Sequence, residues 1–310
     1  MVFGVFSQKI LEIPVIQDLG KTLSSSGNYI SFCGRVALDQ EGNIYIHDRD
    51  RGNILKFSPS GRFLGAVLPL GLRKKEVSSL KDFYLANDNL YVIDEGTKSL
   101  KVFDLNGKFK FLIKTHDTPG SVGVGPNGLI FVADYDPRRN ALVSIYSSRG
   151  KFLGGFGMPF HTPDYSDQRK FYPLQRRITV RVSPSGEIGV LSNVLGIFRK
   201  YSTSYTLVFE RKMEGPEVPQ GSIEVYEDTL AVILAAADLA IDFRGRFIIS
   251  LPSQFAYIYD PRGNFLGKMG IKTPEGFLSP LLMFLSGRKM GSGARNKLFL
   301  LDYGAVEGQL

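Results

Sequence analysis

"IYSSRGKFLGGFG" runs from Ile145 to Gly157. An aromatic closes a short apolar run, turn residues ending in Gly150 follow, and a second apolar run begins. That is the pattern of two strands joined by a tight turn. The same phrase stands at Lys56 ("KFSPSGRFL"), Val102 ("VFDLNGKFK") and Ile258 ("IYDPRGNFL"). Its turn glycines are 46 residues apart from Gly61 to Gly107, and 43 apart from Gly107 to Gly150. The next interval, Gly150 to Gly263, is 113 residues, about two periods. A decayed copy is therefore expected between them. "KYSTSYTLVF" at Lys200 supplies it, with Tyr205 in the glycine position.

A second phrase interleaves with the first. It reads "VALDQEGNIYIHD" at Val36, "FYLANDNLYVID" at Phe83, "VGVGPNGLIFVAD" at Val122 and "VRVSPSGEIGVLS" at Val180. Further copies are "LAIDFRGRFIISL" at Leu239 and, with a longer turn, "LMFLSGRKMGSGARNKLFLLD" at Leu282. Each copy is an apolar strand, a turn and a more strongly apolar strand. The two phrases together make a four-stranded unit repeated every 40–60 residues, the signature of a β-propeller blade. The expectation is an all-β, six-bladed β-propeller of four-stranded antiparallel blades filling residues 1–310 as one domain. The blades fall at about 35–67, 80–113, 121–156, 178–212, 238–269 and 281–302 plus 2–16. "VFGVFSQKILEIPVI" (Val2–Ile16) matches the third-and-fourth-strand phrase, so two strands from each terminus are expected to share the last blade and close the ring.

The repeat "D/P-x-G-N-[IL]-Y-[IV]-x-D", a short loop, then "[IV]-x-[KV]-[FY]-x-x-x-G-[KR]-F-L" resembles the NHL repeat over about residues 35–302. Proteins of that kind include enzymes, RNA binders, receptor ectodomains and scaffolds, so the resemblance implies fold more strongly than function. It also implies an extracytoplasmic setting, in the periplasm or at the cell surface, over a cytoplasmic one. No run of 18 uncharged apolar residues is present, and a transmembrane segment is not expected. Residue 2 already belongs to the expected fold, so a signal peptide is read as absent or removed before Val2. Cys33 is the single cysteine, which excludes an internal disulfide. "YEDTLAVILAAAD" (Tyr226–Asp238) reads as a short helix, with an extra strand from Thr229 as the alternative.

The chain carries a formal net charge of +8, which bears on partners rather than on fold. Basic clusters stand at Leu72–Lys75, Pro137–Arg139, Arg169–Lys170, Arg176–Arg177 and Gly287–Lys289. The two longest blade-to-blade links, Gly157–Arg177 and Met213–Ala237, flank the fourth blade and open on one face. The first interleaves aromatics with cations, the residue types enriched at binding hot spots. Tyr165, Arg169, Lys170, Phe171, Tyr172, Arg176 and Arg177 are the expected partner-binding residues. A plug over the fourth blade is the competing account of the same loop.

Catalytic signals are thin. His47, His116 and His161 do not occupy matching blade positions, as the axial zinc ligands of amidating lyases would, and they read as solvent-facing. First strands are mostly apolar. Asp82 and Asp238 begin two of them and read as a solvated rim rather than a calcium site. Asp48, Asp94, Asp134 and Asp302 recur at one blade position and are expected to accept backbone N–H groups of the following turn. No catalytic residue, cofactor or metal ligand is assigned. The expected role is a non-enzymatic protein-binding scaffold in a larger assembly, with an anionic surface or ligand as a further partner. A hydrolase or lyase at the channel mouth is the first alternative. A nucleic-acid-binding module using a basic face is the second.

Overall fold

The computed structural model describes residues 10–12, 15–18, 33–226, 229–253, 255–273, 276–278, 281–286, 289–294 and 297–302. Two short strands open the chain, β1 (Ile10–Glu12) and β2 (Val15–Asp18). Then come β3 (Cys33–Leu38), β4 (Ile44–Asp48), β5 (Asn53–Phe57) and β6 (Phe63–Ala66), hydrogen-bonded in that order. The next sheet is β7 (Leu80–Ala86), β8 (Asn89–Asp94), β9 (Ser99–Asp104) and β10 (Phe109–Lys114). The third is β11 (Val122–Val124), β12 (Ile130–Val132), β13 (Val143–Tyr146) and β14 (Phe152–Phe156). The fourth is β15 (Ile178–Val182), β16 (Ile188–Ser192), β17 (Ile197–Tyr201) and β18 (Leu207–Lys212). A separate hairpin, β19 (Ser222–Tyr226) and β20 (Thr229–Ile233), follows.

The fifth sheet holds β21 (Asp238–Ile241), β22 (Phe247–Ser250), β23 (Ala256–Tyr259) and β24 (Phe265–Thr273), with β25 (Gly276–Leu278) beside β24. A last sheet is built from β26 (Leu281–Ser286), β27 (Lys289–Ala294) and β28 (Lys297–Asp302), with β2 on its outer edge. The protein is thus an all-β propeller of antiparallel four-stranded sheets. First strands neighbour one another around the axis: β3 with β7, β7 with β11, β11 with β15, β15 with β21, β21 with β26, and β26 with β3.

The local reason is visible in the turns. Gly61, Gly107, Gly150 and Gly263 all have φ between 80° and 85°, and Tyr205, in the decayed copy, adopts φ 66°. The repeated Ser or Asp five residues before the start of the next strand pins each turn. Ser58 Oγ accepts from Arg62 N at 3.0 Å, Asp104 Oδ1 from Lys108 N at 2.9 Å, and Ser147 Oγ from Lys151 N at 3.1 Å. Ser202 Oγ does the same for Thr206 N at 3.2 Å, and Asp260 Oδ1 for Asn264 N at 2.8 Å. The turn chemistry therefore survives where the glycine does not.

Three expectations are corrected. The last sheet takes three strands from residues 281–302 and one from the N-terminal region, not two from each. Its supposed long turn contains β27, because the alternation through Lys289–Ala294 pairs on both sides, with β26 and with β28. β1 instead runs parallel to β24 of the neighbouring sheet; the segment 2–9 lies outside the described residues. The helix read from Tyr226 is instead the β19–β20 hairpin, whose second strand begins at Thr229 as the alternative reading had it, in register Tyr226↔Thr229 and Ser222↔Ile233. β-Branched Thr229, Val232 and Ile233 favour the pleated form, and Ile223 is buried from it. Finally, a helix not expected, α1 (Gln168–Gln175), interrupts the link between the third and fourth sheets. Asp167 caps it, accepting from Arg169 N at 2.8 Å.

Apolar clusters fill the spaces between adjacent sheets. Tyr45, Phe83 and Phe103 pack between the first two, and Tyr91, Val124 and Tyr146 between the next pair. Phe198, Phe247 and Tyr257 do so between the fourth and fifth.

Candidate functional site

The blade-joining links and the loops between second and third strands open on the same face. At its centre is a cavity of about 500 Å³ around the ring axis. Its floor is ionic. Arg35 on β3 grips Asp82 on β7 with two bonds of 3.0 Å and reaches Asp238 on β21 at 2.9 Å. Arg181 on β15 donates to the other oxygen of Asp238 at 2.8 Å and to Val122 O at 3.3 Å. Its guanidinium also lies 5.5 Å from the Tyr84 ring centroid. Burial works against the Arg35 cation, but the Asp238 and Asp82 carboxylates outweigh it and hold Arg35 above its ordinary pKa. Burial likewise opposes ionisation of Asp82, which Arg35 nevertheless keeps below the usual carboxylate range.

These pairs correct the reading of Asp82 and Asp238 as a solvated rim. Side-chain exposure is 3% for Arg35 and 2% for Asp238. The arginines lie inside the phrases "CGRVAL" and "VRV", where a single cation interrupts an apolar strand. That interruption was the available signal. Its meaning depended on which strands meet at the axis.

The wall of the cavity carries Lys81, Arg176 and Arg177. Lys81 Nζ donates to Pro119 O at 2.9 Å, and Arg177 Nη1 to Pro173 O at 3.2 Å. Neither has a carboxylate within salt-bridge distance among the described residues. Burial lowers the pKa of both, and Arg176 adds to the effect at Arg177.

Helix α1 wedges between this cavity and two smaller ones. One, of about 320 Å³, lies between α1 and the β19–β20 hairpin, with Arg169, Tyr172 and Leu230 in its lining. The other, of about 310 Å³, has Asp134, Tyr135, Tyr172 and Arg176 in its lining. Arg176 borders all three and is ion-paired with Asp117. Phe171 and Tyr172 are half-buried. They pack on Tyr135, with ring centroids 5.6 and 6.1 Å away, and Phe171 stacks on His161 at 5.0 Å. Arg169 is exposed and bound to Asp167 at 2.8 Å, and Lys170 lies 3.8 Å from Glu224.

Tyr165 differs from its neighbours in the expected set. It is 7% exposed and belongs to the core beneath the fourth sheet, with Phe160 and Leu174. Gln175 ties the loop down by exchanging two bonds with the Phe160 backbone, at 3.0 and 2.8 Å. The Gly157–Arg177 segment is therefore a plug on its inner side and a cavity wall on its outer side.

The histidines lie in three different settings. His116 and His161 are exposed. His47 is buried in β4, which corrects its solvent-facing assignment, and burial pushes its pKa down to about 4. The recurring aspartates also diverge. Asp48 accepts from Asp50 N and Arg51 N as expected. Asp94 instead binds Ser78, Ser79, Thr97 and, at 2.6 Å, Lys101. Asp134 Oδ1 has no hydrogen-bond partner among the described residues. The side chain of Asp302 lies outside them.

No family model matches the sequence, and no curated protein sequence is significantly similar to it. Solved structures are similar in fold. A member of the DUF4221 family from Bacteroides vulgatus superposes with a TM-score of 0.62 at 8% identity, covering 96% of this chain and 98% of that one. An inactive virginiamycin B lyase from Staphylococcus aureus, solved with quinupristin, gives 0.59 at 10% identity over 88% and 80%. A gluconolactonase from Xanthomonas campestris gives 0.57 at 14% identity over 88% and 86%. At such identities the likeness establishes the β-propeller fold and nothing finer.

Proposed function

We propose that this chain is a non-enzymatic binding propeller, a scaffold subunit of an extracytoplasmic assembly, and that an acidic segment of a protein partner enters its axial cavity. One observation carries the reading. Lys81 and Arg177 are half-buried cations at one cavity wall whose hydrogen bonds go to carbonyls. A carboxylate placed between them relieves a desolvation cost already incurred in the fold. Arg176, Tyr172 and the neighbouring α1 surface would frame the entering segment.

The same reading takes the fold as an NHL-type ring of six blades forming one domain. The order of first-strand neighbours and the pairing of β2 with β28 support it. The test is titration of a fluorescent peptide of consecutive glutamates. The wild-type protein should bind with an affinity that falls steeply with salt, and Lys81→Ala with Arg177→Ala should abolish binding. Equal binding by wild type and variant overturns the proposal.

A hydrolase or lyase acting at the cavity mouth is the second reading. It is favoured by the activities named for two fold neighbours and by the Asp134 carboxyl of the adjoining cavity, which burial pushes up to about 7, the range of a general acid or base. Loss of quinupristin or of a gluconolactone on incubation with the protein would decide for it.

A further inference from the structure

The Asp134 cavity invites its own question. Asp134 is 5% exposed, and one of its carboxylate oxygens lacks any hydrogen-bond partner among the described residues. A buried polar group left unmatched is costly, so it calls for a ligand or another explanation. Ser144 and the His116 backbone N–H favour the ionised form, yet burial dominates and, with Asp136 adding, pushes the carboxyl up to about 7.

The surroundings limit what the cavity accepts. Of its lining ions, Asp117 and Arg176 are matched with each other, Asp117 also with Lys98 beside the cavity, and the nearby Asp136 pairs with Arg138 and Arg139. Apart from Asp134 itself, no unmatched charge among the described residues borders the cavity, so nothing in it calls for a phosphate. The remaining wall is aromatic and apolar, with Tyr135 and Tyr172 inclined at 47°, and Ala133 and Pro137 beside them. Thr118, His116 and the tyrosine hydroxyls add neutral donors and acceptors. At about 310 Å³ the cavity sits at the small end of ligand sites. Aromatic faces for C–H groups beside a carboxyl with a free hydrogen-bonding oxygen suit a single neutral sugar ring.

We propose that the cavity between Asp134, Tyr135 and Tyr172 is a binding site for a neutral monosaccharide unit, with Asp134 bonded to a ring hydroxyl and the tyrosines packed on the apolar sugar face. This site is distinct from the axial cavity and takes a different ligand class. The experiment is saturation-transfer NMR with the methyl glycosides of glucose, galactose and mannose, alongside glucuronate and glucosamine. At least one neutral glycoside should bind in the millimolar range, where single-ring contacts fall. Asp134→Asn, which keeps the side-chain shape, and Tyr172→Ala should each weaken it about tenfold or more, equivalent to about 1.4 kcal/mol. Lys74→Ala, an exposed side chain in the lining of a separate cavity, should leave it unchanged. No binding by any neutral glycoside, binding of glucuronate or glucosamine alone, or undiminished binding by Asp134→Asn overturns the proposal.

Discussion

Arg35 and Asp238 stand 203 residues apart in the chain and 2.9 Å apart at the ring axis. With Asp82 and Arg181 they tie together first strands of four sheets. Breaking a buried pair leaves an uncompensated charge, which costs ~3–5 kcal/mol. Arg35→Ala should therefore lower the unfolding free energy read from urea titration by an amount in that range. Adding Asp82→Asn should recover part of the loss, because it removes the stranded charge, whereas Asp238 keeps Arg181 as its partner. A single variant within ~1 kcal/mol of wild type would show that the network does not hold the axis.

Asp134 makes stability depend on pH. Its carboxyl binds a proton more tightly in the folded chain, about 7, than at its ordinary value of 3.8. Between those values the folded state holds more protons, so stability is greatest at low pH and declines as pH rises through 7. At about 1.4 kcal/mol per pKa unit, the ceiling is ~4 kcal/mol. The groups acting on it are Ser144, the His116 amide, Asp136, Arg139 and Tyr146. His47, held down to about 4, works in the opposite sense between there and 6.5. Urea midpoints of wild type and Asp134→Asn isolate the Asp134 part: the variant should gain on wild type as pH rises from 5 to 8. A constant difference would refute the assignment.

The α1 segment predicts a division of labour. Tyr165→Ala opens a hole in the core and should cost ~3 kcal/mol of stability, with the cavity cost dominating. Tyr172→Ala with Arg176→Ala removes outward-facing groups and should shift the melting temperature by only a few degrees. That pair should also weaken binding of the glutamate peptide. If the pair unfolds the protein as readily as Tyr165→Ala, the outer side of the segment is structural too.

Gly107 tests the repeat itself. Its φ is +80°, and an added Cβ would sit 1.9 Å from Val67 O. Gly107→Ala should cost ~2 kcal/mol or more, beyond the ~1 kcal/mol of a left-handed alanine alone. At Gly52, where φ is +60° and no atom lies within 4 Å of the added Cβ, the left-handed backbone term stands without the clash. Thermal melts of the two variants compare them directly, and equal losses would contradict the close approach.

Removing residues 1–18 would strip β2 from β28 and β1 from β24, leaving two sheets with open edges. The truncated protein should melt lower, by roughly 2–4 °C for each kcal/mol lost, and should aggregate more readily. Unchanged melting would show that the closure adds little.

The sequence by itself determined the blade pattern. Turn glycines, the Ser or Asp that pins each turn, and period-2 apolar strands are local features, and local chemistry fixes them wherever the sheets end up. Even the decayed turn at Tyr205 was legible, because the 113-residue interval from Gly150 to Gly263 left room for one more copy, and the structure shows Ser202 pinning it. The aromatic and basic character of residues 157–177 was legible for the same reason. Tertiary structure alone decided what those residues face. Tyr165 turns inward and Tyr172 lines a cavity because α1 has two sides. Arg35 and Arg181 become partners of Asp82 and Asp238 only when first strands from distant blades converge on one axis. Asp134 departs from Asp48 and Asp94 because its neighbours, not its place in the repeat, fail to supply a partner for Oδ1. Burial and long-range pairing depend on the whole ring, and a short stretch of chain carries no record of either.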